Sequence, residues 1–353
     1  MLTAFAHEAA GAAAVFVSTG VLFLLGERLR LRGVLSPEQS RKFLHVGGCL
    51  TAMAFPALFA THWTVLALCG AFAVLVFVLG RRGGLHAVND VRRSSYGGLL
   101  HPVALYLCYL LADWRNAFDF YVIAMLVLAL SDTAAALVGE RYGRMRYRVS
   151  GSDCRTLEGS FFFFLVTYAL TQHILLLRIG MPAPEVSMLA LLIAVLATLF
   201  EAVSLGGADN LAVPVGVLII LLKNATPDMG AMSRQFVILA VSFASTCIPL
   251  RLLGRVGGSG RVVMSLLVYL AAGLYSPWWG LATLLAVLAM HADRTSRLGD
   301  VKTVFAFSAL PFLVIMGFNM TEKLGHVRPF AIATLVYLVS LLFSFLIARR
   351  YGK

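Results

Sequence analysis

Four short segments of the sequence concentrate side chains able to handle phosphate and metal ions. The first is Arg41-Lys42-Phe43-Leu44-His45. Arg41 and His45 stand one helical turn apart on one face, and cations near a helix start suit phosphate oxygens, although the same residues would serve as an ordinary anchor for a membrane span. The second is SDTAAALVGERYG, residues 131–143. Asp132 closes an apolar run whose one other charge is Asp119 at its far edge, and a carboxylate on such a helix is costly and usually functional. Ala136, Gly139 and Gly143 follow at helical spacing, a small-residue face suited to a nucleotide or, more commonly, to another helix.

The third segment is Arg155-Thr156-Leu157-Glu158-Gly159-Ser160. Thr156 and Glu158 fit a helix cap and its positive end. Read as a site, the same residues offer Glu158 as metal ligand or base, Arg155 as a phosphate clamp and Gly159 as the place where backbone amides reach a ligand. The fourth is EAVSLGGADNLAVP, residues 201–214, with Glu201, Asp209 and Asn210 around a Gly-Gly turn. Its hard oxygen donors suit a divalent cation, and its Gly, Asp and Asn equally suit a tight turn.

Together the segments hold the carboxylates Asp132, Glu158, Glu201 and Asp209, and, with Arg93 nearby, the cations Arg41, Lys42 and Arg155. That is the inventory for phosphoryl transfer: metal held by carboxylates, cations against phosphate charge, and a base beside an acceptor oxygen. Neither a Walker motif nor a protein-kinase glycine-rich loop occurs, so a nucleotide site here is of another kind.

The elements that position these residues must cross a membrane. Of 353 residues 13% are charged and mean hydropathy is +0.86, against roughly 25% charged in soluble domains, which excludes a soluble fold. Thirteen apolar runs (ten on a stricter reading) approach or reach the roughly 17–25 residues a span requires. They fall at 9–27, 43–60, 63–80, 97–112, 118–139, 159–177, 186–205, 211–222, 233–250, 262–275, 278–292, 303–319 and 329–348. The expected fold is an all-α polytopic transmembrane bundle.

Charge sets its orientation. With the N-terminus outside, the inside segments collect 23 of the 29 Lys and Arg residues, which obeys the positive-inside rule and leaves the C-terminus in the cytoplasm. The four segments then share the cytoplasmic face. Net charge +12 is thus explained by orientation and by attraction to anionic membrane lipids, not by nucleic acid. Cys49, Cys69, Cys108, Cys154 and Cys247 show no metal-knuckle or disulfide spacing, so cysteine chemistry is not expected.

RKFLH, RRSSYGGLLHP (92–102), SDTAAALVGERYG, RTLEGS and EAVSLGGADNLAVP, in this order, resemble the family of phytol kinase and dolichol (polyprenol) kinase, related to the CTP-using phosphatidate cytidylyltransferases. The resemblance covers residues 41–223. It implies a multi-pass enzyme of a bacterial inner membrane or an equivalent organelle membrane, its active site facing the cytoplasm. Such an enzyme moves a phosphate from CTP, or another nucleoside triphosphate, with Mg²⁺ to the hydroxyl of a long isoprenoid alcohol. The family's nucleotide motif carries over onto Asp132, Gly139, Thr156, Glu158, Gly159 and Ser160, with Arg155 where the family has lysine; Glu201, Asp209, Asn210 and Pro214 match the later motif. In the mechanism this implies, Mg²⁺ is held by Asp132 with Glu201 or Asp209, beside Asn210. Arg41, Lys42 and Arg155 steady the phosphates, and Asp132, Glu158 or His45 takes the hydroxyl proton.

Residues 1–250 accordingly form the expected kinase-like membrane domain. Residues 251–353 form an added helical block open to three roles: a larger lipid groove, homodimerisation or an altered acceptor. The rival readings are cytidylyl transfer to a lipid phosphate, told apart by product mass, and a lipid or anion transporter, whose charges would sit at the midplane rather than one face.

Overall fold

The computed structural model of the chain describes residues 2–81, 97–150, 153–226, 228–254, 256–292, 308, 310–315, 317 and 329–351. They are overwhelmingly helical, as apolar runs in hydrocarbon must be: every backbone N–H and C=O has to find its partner inside the segment. Among the described residues, six helices are long and apolar enough to cross a membrane by length and composition: Ala6–Leu31, Phe118–Tyr142, Leu157–Ile179, Ala183–Val203, Met229–Leu252 and Gly258–Tyr275. Shorter apolar helices cover His62–Val78, Pro277–Ala292 and Ala333–Ile347. Most of the run at 303–319 lies outside the described residues, as does Arg93.

Two compact units make up the chain: Met1–Met145 with Thr156–Ala225, and Arg146–Arg155 with Thr226–Lys353. The helix at 229–252 belongs to the second of these units. In the first unit the helices are α1 (Leu2–Leu31), α2 (Pro37–Met53), the single turn α3 (Phe55–Leu58), α4 (His62–Arg81), α5 (Gly97–Arg115), α6 (Phe118–Leu126), α7 (Asp132–Tyr142), α8 (Leu157–Ile174), α9 (Ala183–Val203) and α10 (Asp209–Lys223). The π-helical turn Val127–Ser131 fuses α6 and α7 into one rod. That rod and α9–α10 supply the centre of the unit: Tyr121, Ile123 and Met125 are fully buried, as are Leu189, Leu192 and Leu218. Helix α10 packs on α5, α6 and α9, and α8 on α7 and α9.

Helix α2 departs from the expected span at 43–60. It starts six residues earlier because Ser36-Pro37-Glu38-Gln39 forms a capping box: Ser36 Oγ accepts the Gln39 N–H at 3.2 Å and Gln39 Oε1 accepts the Ser36 N–H at 3.0 Å. It stops at Met53, and Pro56 follows inside α3. Arg41-Lys42-Phe43-Leu44-His45 therefore sits in the body of a helix and not at its start. The helix-terminus argument for phosphate binding does not apply to it.

The second unit holds β1 (Arg146–Ser150) and all but the last residue of β2 (Asp153–Thr156), which pair in a two-stranded sheet, then α11 (Met229–Leu252), α12 (Gly258–Leu270), α13 (Pro277–Ala292) and α14 (Pro329–Tyr351). Asp228 caps α11, its carboxylate accepting the Ala231 N–H at 2.9 Å. Another π-helical turn, Ala271–Tyr275, ends α12.

Candidate active site

Three of the motif-bearing helices, α2, α8 and α10, pack against the π-helical turn that precedes Asp132. Such a turn widens the helix by one residue and releases carbonyls from the regular ladder, and these turns gather at functional sites. The Leu128 carbonyl lies 3.3 Å from His45 Nε2 of α2. Ser131 Oγ accepts the Thr167 hydroxyl of α8 at 2.9 Å. The turn is thus gripped from both sides, and the next residue is Asp132.

Lys42 meets that carboxylate from 90 residues away, its ammonium donating to Asp132 Oδ2 at 2.5 Å. The two side chains are 7% and 10% exposed. His45 Nε2 is 3.6 Å from the same oxygen. Asp209 opens α10, the helix that packs against the same π-helical turn. The first, second and fourth sequence segments therefore come together. A buried pair of this kind gains little net stability, since desolvating both ions roughly cancels their attraction.

Arg41 faces a different partner. Its guanidinium donates to Glu38 twice, Nε at 3.3 Å and Nη2 at 2.5 Å. Burial pushes the Glu38 carboxyl up, but the guanidinium beside it prevails and holds it below the usual carboxylate value.

The fourth segment is built by its turn. Gly206 and Gly207 take φ of +56° and +86°, conformations that L side chains rarely adopt, and this lets α9 give way to α10 at Asp209. Asp209 Oδ1 accepts the Asn210 N–H at 3.0 Å, while the Asn210 side-chain amide donates to the Gly97 carbonyl of α5 at 3.0 Å. Glu201 is buried near the end of α9, at 3% exposure. Carboxylates and an amide oxygen are the hard donors that Mg²⁺ prefers, and Asp132, Glu201, Asp209 and Asn210 offer such donors, although among the described residues the three carboxylates do not form one cluster of ligand atoms.

The third segment is occupied with packing and capping. A Cβ on Gly139 would fall 2.7 Å from Thr156 Oγ1, and one on Gly159 would fall 2.8 Å from the Ala135 carbonyl. The small face of α7 is thus filled by the start of α8. Thr156 Oγ1 accepts the Gly159 N–H at 3.1 Å. Glu158 Oε1 accepts the backbone N–H groups of Arg144 and Met145 at 3.0 and 3.1 Å, closing the turn after α7. Ser160 is half-buried in the first turn of α8, and Arg155 lies on β2 within the second compact unit.

Some neighbours of the site carried no role in the sequence reading. Glu38 is one; its i,i+3 spacing to Arg41 was a legible signal. His101 and Cys49 are others: the His101 ring lies 4.6 Å from that of His45, and Cys49 follows His45 by one turn on α2.

Over 213 residues, 60% of this chain and 89% of the relative, the sequence is 32% identical to a phytol kinase of Synechocystis sp. (strain ATCC 27184 / PCC 6803 / Kazusa). No family model and no solved structure matches the chain.

Proposed function

The chain belongs to the phytol kinase family, and from that premise we propose that it moves the terminal phosphate of CTP to the hydroxyl of a membrane isoprenoid alcohol at the cytoplasmic face. The acceptor is of the phytol, geranylgeraniol, polyprenol or dolichol type. The observation that carries the residue assignment is the buried Lys42–Asp132 pair, which joins two motifs distant in sequence at the π-helical turn. The inward excess of Lys and Arg supports the choice of face.

In this reading Asp132 is the central carboxylate, and Lys42 is its counter-ion and a cation for incoming phosphate. Asp132 with Glu201 or Asp209, beside Asn210, would hold Mg²⁺, which would supply neutralisation of phosphate charge. His45, set between the Leu128 carbonyl and Asp132, orients that carboxylate. Glu158 is committed to two backbone amides, which leaves Asp132 or His45 to receive the hydroxyl proton. Little force is asked of the base, because phosphoryl transfer proceeds mostly by positioning and charge neutralisation. The alcohol tail lies among apolar helices with its hydroxyl at the membrane edge.

The test is direct. Purified protein in vesicles is given Mg²⁺, one of CTP, ATP, GTP or UTP, and a panel of phytol, geranylgeraniol and polyprenols, and the lipid product is weighed by mass spectrometry. Added phosphate with CTP as best donor is the expected result. A product retaining CMP would replace the kinase reading with nucleotidyl transfer, and no lipid product with any donor would end it.

A further inference from the structure

His45, Cys49 and His101 form a cluster that the proposed kinase chemistry leaves largely unused. One ligand atom from each lies within 4.8 Å of the other two. His45 and Cys49 are i and i+4 on α2, so they project from one face, and His101 comes from the facing α5. Two observations set this group apart from ordinary packing. Both ring nitrogens of His101 are buried without a hydrogen-bond partner among the described residues, although a neutral imidazole carries one N–H and one lone pair that burial ordinarily forces to pair. Gly48 supplies the room: a Cβ there would stand 3.0 Å from His101 Nε2. The imidazole is thereby admitted against the α2 backbone next to Cys49.

We propose that His45, Cys49 and His101 are a binding site for a borderline-soft divalent cation, Zn²⁺ foremost, separate from the oxygen donors assigned to Mg²⁺. Two imidazoles and a thiolate are a recognised donor set for this ion, and carboxylate-preferring Mg²⁺ would not compete for it. His45 also has the neighbours that orient a metal-ligating imidazole, a backbone carbonyl at 3.3 Å and a carboxylate at 3.6 Å. On binding, the Cys49 thiol gives its proton to solvent and the thiolate sulfur donates to the cation, with no redox change. Bound metal joins α2 to α5 directly beside Asp132, and His101 gains a partner for a ring nitrogen that has none.

The experiment uses untagged full-length protein carrying Cys154→Ala, which removes the exposed thiol. Protein loaded with Zn²⁺ is washed with a weak chelator and its metal counted by mass spectrometry; a second sample is loaded with Co²⁺ and its absorption recorded. About one Zn²⁺ retained per chain is expected, with a thiolate-to-cobalt charge-transfer band and the intense visible bands of a four-coordinate site. Retention should fall at least tenfold in Cys49→Ala and in His101→Gln. Zinc well below one per chain, or retention unchanged in both variants, overturns the proposal. Should either variant fail to fold, the Co²⁺ spectrum of the parent decides, since absence of the thiolate band rules Cys49 out. Kinase activity is not needed as a readout, so failure here leaves the kinase reading standing.

Discussion

The two compact units bury polar groups in opposite ways. The first buries charge: Lys42 against Asp132, with Glu201 nearly sealed. The second, among its described residues, buries neutral hydrogen bonds. Gln235 accepts the Tyr269 hydroxyl at 2.9 Å and donates to the Gly273 carbonyl at 2.9 Å, and Trp279 Nε1 donates to Thr334 at 3.0 Å. Trp279 stacks on Tyr337 at 4.1 Å, and Thr283 meets the Tyr337 hydroxyl at 2.5 Å. Neutral pairs satisfy buried polar atoms at little desolvation cost, whereas buried ions persist when chemistry needs them. The contrast separates a unit that buries an ion pair from one that buries neutral hydrogen bonds.

The sharpest way to break that contrast is Asp132→Asn. Loss of a carboxylate from the reacting centre should lower turnover by about 10²–10³-fold, and Lys42 left unpaired should cost about 3–5 kcal/mol of stability. Kinase assays with thermal unfolding in detergent read both. The double variant Lys42→Met/Asp132→Leu should recover most of the stability and none of the activity; recovery of activity would mean that the pair is structural.

Gly139→Val comes next. A branched side chain against Thr156 overpacks the α7–α8 contact and should destabilise by about 1–3 kcal/mol, visible as a lower melting temperature. A nucleotide-contacting role for Gly139 would instead raise the apparent KM for CTP with melting unchanged.

Tyr337→Phe tests the second unit. Removing one hydroxyl from a buried neutral bond should cost about 0.5–1.5 kcal/mol and leave turnover within twofold. A large fall in turnover would show that these helices serve the reaction and erase the distinction between the units. The smallest effect is expected from Glu158→Gln: the amide still accepts the Arg144 and Met145 N–H groups, so about 0.5 kcal/mol should be lost at this cap. A thousandfold loss of turnover in that variant would return the proton-accepting role to Glu158.

Much of the site could be read from residue order. Asp132 stood out because a carboxylate on an apolar helix needs a reason, and the structure supplies Lys42 and His45 as its partners. The glycine face and the Thr156 cap each had two readings, and close packing filled the first while Gly159 N–H answered the second. Arg41 was misjudged in position because the capping box at Ser36 moved the helix start upstream, and Glu38 then claimed its guanidinium.

The sequence by itself determined that the chain is a bundle of membrane helices, because hydropathy and length act locally and leave backbone hydrogen bonds no alternative to the helix. Loop charges suggested one face, and motif order indicated the family. Tertiary structure alone decided which polar side chains meet. Lys42 and Asp132 are 90 residues apart, and nothing in either neighbourhood encodes their approach. The same holds for His101 beside His45 and Cys49, which became a site only when α5 packed against the open face of α2 at Gly48. Periodicity reports which face of a helix is apolar; the partner of a buried charge is settled by packing between helices distant in sequence.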